Sequence, residues 1–220
     1  MKYCLRQSKK FWEAIFLAFT KRPFKPLEEE VIVLDVLPYG DPIRGIRSPL
    51  IQTIGVSRFL LIELRSLIHQ APSLKPLDLV SLSSSLDGKI LAFGRYLAYE
   101  DLTATAKSTL PDAIALIVKS QEKRFVNFFN NAQPLSKKAH TLELLKGIGK
   151  KTLWTILDER RKKPFESYED IKKRVDIDPV KLIVERILDE LRSPQTIYLF
   201  VNPPYGPSPK RSFEERRGWG

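Results

Sequence analysis

Cysteine is almost absent from this chain. Cys4 stands alone among 220 residues, which excludes an internal disulfide framework and any zinc site built from several cysteines, and fits a cytoplasmic protein. Histidine is nearly as scarce, with only His69 and His140. No Asp/Glu/His group has metal-ligand spacing and no nucleophile stands beside a base, so no catalytic residue, metal ligand or cofactor is assigned and no enzyme is expected. No run approaches the ~18 apolar residues that a membrane span requires. The first residues lack the uncharged apolar core and small-residue cleavage site of a signal peptide. A nucleotide-binding P-loop is also missing. It needs Gly-Lys-Ser/Thr with a glycine five residues upstream, whereas Gly149 is followed by Lys150-Lys151 and position 144 is a leucine.

What the chain has in excess is positive charge: 37 Lys and Arg against 26 Asp and Glu, a net +11. The surplus is uneven. Residues 1–26 carry +6 (seven basic, one acidic), 27–136 carry −1 (eleven and twelve), 137–192 carry +4 (fifteen and eleven) and 193–220 carry +2 (four and two). Clustering of this kind favours a polyanionic partner such as RNA, DNA or an acidic membrane surface.

Four segments follow from composition and periodicity. Residues 1–26 form a basic extension in which Trp12, Ile15, Phe16 and Phe19 recur at helical spacing. Residues 11–19 are therefore expected to dock on the protein's own body or on a protein partner, with a membrane surface as the alternative. Residues 27–104 carry about five short strands, at 30–37, 50–55, 58–64, 78–82 and 89–96, bounded by turn residues. The expected fold class is α+β: a small five-stranded OB-like β-barrel followed by an all-helical domain. A small open sheet of another topology is the alternative. Arg58, Arg95, Tyr96 and Tyr99 are the candidates for a surface role in the barrel, because aromatic and basic side chains together can stack bases and hold phosphates.

Residues 105–192 read as helical. Pro111 is expected in a first turn, and Ile114, Ile117, Val118, Phe125, Phe128 and Phe129 form an apolar packing stripe. Residues 193–220 hold a last strand at 196–201 and a basic tail.

The most informative stretch is 140–157, HTLELLKGIGKKTLWTIL. Leu142, Leu145, Leu153, Ile156 and Leu157 are spaced to line one side of two short helices, with Thr141 a plausible N-cap for the first. Gly147-Ile148-Gly149 predicts a turn too tight for a Cβ at either glycine. The second helix opens with Lys150-Lys151 at an end that already carries about half a positive charge. Two lysines there cost about 0.3–1 kcal/mol each unless an anion joins them. Free amides, glycines and cations together describe a phosphate seat. Its candidate residues are Gly147, Ile148, Gly149, Lys150, Lys151 and Lys146, with Lys137, Lys138 and the basic run 160–163 flanking. A weak repeat at an offset of 31 (Ile156-Leu157-Asp158-Glu159 against Ile187-Leu188-Asp189-Glu190) points to a second, buttressing copy opening after a Ser167 N-cap.

Residues 142–157 resemble the helix-hairpin-helix motif of nucleic-acid-binding proteins, with Lys146 where proline is usual and Leu153-Trp154 near the usual small alanine. Together with Tyr99-Glu100-Asp101-Leu102-Thr103, Phe125-Val126-Asn127-Phe128-Phe129-Asn130 and Lys163-Pro164-Phe165-Glu166-Ser167-Tyr168-Glu169-Asp170-Ile171, the chain over roughly 27–201 looks like an archaeal family, domain of unknown function 655. The resemblance implies an OB-like barrel joined to a helix-hairpin-helix module and a nucleotide- or RNA-binding role.

The expected function is non-sequence-specific binding of a nucleic-acid backbone, RNA before DNA. The alternative is a protein-interaction module of a ribosome-associated or repair assembly. A nuclease-type enzyme ranks last, for want of a catalytic constellation.

Overall fold

The computed structural model describes residues 27–67, 73–82, 91–137 and 139–203. The N-terminal extension with the helical segment expected over 11–19, His69, Lys138 and the basic tail lie outside the described residues.

The five expected strands form, at Glu30–Leu37 (β1), Leu50–Gly55 (β2), Leu61–Ser66 (β3), Leu79–Ser81 (β4) and Leu91–Tyr96 (β5). They pair antiparallel throughout, in the order β4-β1-β2-β3-β5. β4 and β5 are the two edges and do not pair with each other among the described residues, so the sheet is open rather than a closed barrel. Two bulges bend it. Leu34 is the extra residue between β1 and β2, and Gly94 the extra residue between β3 and β5. Gly94 is needed there, because a Cβ would stand 2.8 Å from the Glu63 carbonyl oxygen.

Both faces of the sheet are buried. Val31, Val33, Ile51, Ile62, Leu64, Val80 and Leu91 form a cluster drawn from all five strands. Ile32, Leu34, Ile54 and Leu61 point the other way and join a larger core that includes the helices. Strands buried on both faces read as continuous apolar runs such as Val31-Ile32-Val33-Leu34.

Five α-helices follow among the described residues: Ala104–Ser120 (α1), Glu122–Asn131 (α2), Lys150–Lys162 (α3), Tyr168–Val175 (α4) and Pro179–Arg192 (α5). α1 packs against β1 on one side and α5 on the other. Its N-cap is Thr103, whose Oγ1 accepts from the Ala106 amide at 3.0 Å and donates to Asp35 Oδ2 at 2.6 Å, which ties the helix start to β1. Pro111 therefore sits inside α1, at its eighth residue, instead of in a first turn. It is tolerated there at the cost of one backbone hydrogen bond.

Residues 196–201 do not form the expected strand. The Glu190 carboxylate, 3% exposed, accepts from the amides of Leu199 (2.7 Å), Phe200 (3.1 Å) and Val201 (2.9 Å) and from Arg186 Nε (2.8 Å). With their amides taken by a side chain, these residues have no ladder to enter. Phe200 instead packs edge-on against Phe125 and Phe128, with ring centroids at 5.5 and 5.0 Å.

Candidate nucleic-acid interface

The stripe expected of residues 142–157 is buried. Leu142, Leu145, Ile148, Leu153 and Ile156 are each at most 5% exposed, and Leu157 is partly covered. The first helical element is shorter than expected, a single 3-10 turn over Thr141–Leu144. Its N-cap is His140, not Thr141. Nδ1 of His140 accepts from the Leu142 amide at 3.1 Å, and Glu143 Oε2 accepts from the His140 amide at 2.8 Å. The Thr141 hydroxyl is committed elsewhere, donating to the Gln133 carbonyl. Burial, with the Arg160 charge adding to it, holds the His140 pKa below its ordinary value. The neutral ring keeps Nδ1 free of a proton and able to cap.

The two glycines play different parts. Gly147 has φ +95°, a left-handed conformation that favours glycine. Gly149 has φ −86° and ψ 179°, ordinary extended backbone, so a tight turn does not require it. What distinguishes it is openness. It is exposed, no atom lies within 4 Å of where its Cβ would be, and α3 starts from it with no side-chain cap.

The lysines divide as well. Lys150 Nζ lies 2.7 Å from Glu143 Oε1, so one of the two charges at the helix start is offset by the protein's own carboxylate, and the Glu143 pKa is lowered in return. Lys146 Nζ lies 2.7 Å from Asp189 Oδ2. Lys150 and Lys146 keep about two-thirds of their side-chain surface in solvent (64% and 67%), whereas their partners Glu143 and Asp189 keep about a fifth (20% and 22%). Lys151 is exposed, and among the described residues no carboxylate pairs with it. Lys137 is exposed, next to Ser136, whose amide donates to the Ala139 carbonyl.

Arg58, Arg95 and Tyr96 are not brought to the hairpin. The Arg58 amide donates to Glu28 and its carbonyl accepts from Asn202. Arg95 pairs with Asp101 at 3.1 Å and with the buried Glu63 at 3.9 Å. Tyr96 packs on Phe93 and accepts from the Leu27 amide. Together with Tyr99 and Tyr198 it lines a cavity of about 420 Å³ between β5 and the end of α5. Two of the three therefore hold the sheet region together instead of presenting charge.

Trp154 is not among the candidate residues read from the sequence. It follows the buried Leu153 on α3, on the Lys151 side, and is 57% exposed.

A second hairpin follows the first. Ser167 caps α4 by accepting from the Asp170 amide at 3.1 Å, and Asp178 caps α5 by accepting from the Lys181 amide at 3.1 Å. Asp176 takes the left-handed conformation (φ 59°) two residues before that cap. The backbone equivalence is thus Gly147-Ile148-Gly149 with Asp176-Ile177-Asp178, an offset of 29 instead of 31.

Among the described residues, no group of three or more His, Cys, Asp or Glu side chains could hold a metal ion, and no helix is long and apolar enough to cross a membrane.

Residues 27–202 match the family described as protein of unknown function DUF655. An uncharacterized protein of Methanocaldococcus jannaschii, MJ0038, is 40% identical over 171 residues, 77% of each chain. The crystal structure of Af1531 from Archaeoglobus fulgidus is similar with a TM-score of 0.70 and 42% identity, covering 80% of this chain and all of that one. With most of its length matched by the family model and by relatives at this identity, the chain belongs to the DUF655 family.

Proposed function

We propose that this protein binds a nucleic-acid backbone, RNA before DNA, through a hairpin of the helix-hairpin-helix kind at residues 142–157, with little base specificity. One observation carries the reading: α3 starts at an exposed, uncapped glycine beside the exposed Lys151, while its counterpart α5 starts at a side-chain cap. A helix start with no side-chain cap, at the positive end of the helix dipole, forms a seat for an anionic oxygen. Lys150 and Lys146, each mostly in solvent, add charge beside it. The excess of cations over 137–192 supplies the surrounding field.

Fluorescence anisotropy with labelled oligonucleotides across a salt series tests this. Affinity falls with salt at a log–log slope of about −0.7 to −0.9 per phosphate neutralised, and Lys150→Glu with Lys151→Glu abolishes most of it. A salt-insensitive affinity, or an unaltered one in the double variant, overturns the reading.

A protein-interaction module is the second reading, and the β1–β2 loop favours it. Tyr39 is 85% and Ile43 98% exposed there, on a loop held by the Asp41–Ile46 bridge and by a two-pronged Arg44–Glu63 contact at 2.6 and 2.7 Å. Partners that stay attached after nuclease treatment would favour this reading.

A further inference from the structure

α3 has two faces of opposite character. At about 100° per residue, Leu153 and Ile156 point to the core, while Lys150, Lys151, Trp154, Asp158 and Arg161 fall within an arc of about 100° on the far side. All five are exposed. Trp154 is the anomaly. The position is solvent-facing, tryptophan has no advantage there as a helix former, and among the described residues no ring or cation stacks on it. A large indole face is left bare in the middle of a polar stripe.

The surroundings select what can cover it. Lys151, one turn back, and Arg161, two turns on, bracket the ring; Asp158 pairs with Arg161, at 3.6 Å. A cationic or neutral apolar partner gains nothing from these flanks. A ligand that alternates flat apolar groups with negative charge matches all of them, and a nucleotide strand is such a ligand. Trp154 also lies about 7.5 Å along the axis from Gly149, so one strand can reach both. Bases inside a duplex are already stacked on one another and offer no face to an outside ring.

We propose that the outward stripe of α3 takes an unpaired nucleobase on the Trp154 indole, with the strand's phosphates on Lys151 and Arg161, so that the ligand is single-stranded. This rests on the nucleic-acid reading above and adds to it the strandedness and the residue that senses it.

The test uses the full chain as wild type, Trp154→Ala, Trp154→Phe and Lys151→Glu. The probes are a short single-stranded RNA, the same strand with abasic sites, and the duplex, read by anisotropy and by tryptophan fluorescence. Wild type binds the single strand more tightly than the duplex or the abasic strand, and binding quenches its fluorescence. Trp154→Ala weakens single-strand binding about tenfold, leaves the salt slope and the abasic affinity unchanged, and removes the quenching that binding causes. Trp154→Phe keeps most of the affinity. Because the side chain is exposed, the thermal transition of the alanine variant stays near that of wild type, which separates lost stacking from lost folding. If Trp154→Ala binds as wild type does while Lys151→Glu is impaired, the stacking proposal falls and backbone binding stands. If wild type prefers the duplex, the stacking proposal falls in the same way. If wild type binds none of the probes, the nucleic-acid reading itself falls.

Discussion

Gly147 and Asp176 occupy the same place in two successive hairpin turns. Each has a left-handed backbone, φ +95° and +59°, and each stands two residues before the residue that starts the next helix. An aspartate bears that conformation at some cost, whereas glycine adopts it freely. Gly147→Ala should therefore lower stability by about 1–2 kcal/mol through backbone strain. Crowding adds little, since the nearest atom to the new Cβ, Leu182 Cδ2, lies at 3.4 Å. Asp176→Gly should be neutral or stabilising by up to about 1 kcal/mol, because relief of strain offsets the added freedom of the unfolded chain. Urea denaturation of both variants checks the contrast.

The residues two places on separate structure from function. Asp178 fills its helix start with its own carboxylate, while Gly149 leaves the equivalent start open. Gly149→Asp introduces a cap where φ is ordinary and the space is empty. The variant should gain about 0.5–1 kcal/mol from the cap and the helix dipole. It should also lose nucleic-acid affinity, because the new carboxylate takes the amides and repels phosphate. A stability curve and an anisotropy titration on the same preparation read the two effects. A variant that is stabilised yet binds as before would remove Gly149 from the interface.

Local patterns carried the sequence reading far, and long-range contacts set its limit. The runs around Val31–Leu34, Leu50–Ile54 and Leu61–Leu64 read as strands because apolar, β-branched residues crowd them. The buried stripe from Leu142 to Ile156 follows from helical spacing. Whether β4 meets β5 does not follow from either strand, and the sheet stays open. Thr196–Val201 has the composition of a strand, but Glu190 takes its amides, and no local signal announces a carboxylate from a preceding helix. Ile-Leu-Asp-Glu recurs on α3 and α5 at an offset of 31. Amphipathic stripes tolerate sliding. The left-handed positions, which fix the turn, set the offset at 29.

His140 makes the hairpin sensitive to acid. Burial and the nearby Arg160 depress its pKa in the folded state, so the neutral ring is the stable form there. A depressed pKa means full stability above the unfolded value of about 6.5. Stability then declines as the pH falls below it, until the folded-state pKa is passed. The structure supplies the reason: a protonated Nδ1 becomes a donor and cannot accept from the Leu142 amide. His140→Asn keeps an acceptor at the cap without the titration. Melting temperatures between pH 7 and pH 5 should fall in wild type and fall less in the variant, once Glu143 and the other carboxylates have contributed equally to both.

Arg174 joins the two hairpins through a guanidinium that few other groups could replace. Nε donates to Glu159 Oε2 at 3.1 Å, one terminal nitrogen donates to Asp170 Oδ2 at 3.1 Å, and the other donates to the carbonyls of Glu159 and Lys163 at the end of α3. The plane lies over the Phe165 ring, 4.5 Å from its centroid. Five contacts in one fork fix where α4 sits against α3, and through it where the second hairpin supports the first. Arg174→Ala should cost about 3 kcal/mol, since it strands carboxylates and carbonyls together. Arg174→Lys should recover little of that, because a single ammonium cannot span the same acceptors or lie flat on the ring. Chemical denaturation measures the loss. An anisotropy titration below the unfolding range then asks whether the Gly149 end of α3 still binds when its far end has been released. A lysine variant as stable as wild type would show that charge alone, without the planar fork, holds the two hairpins together.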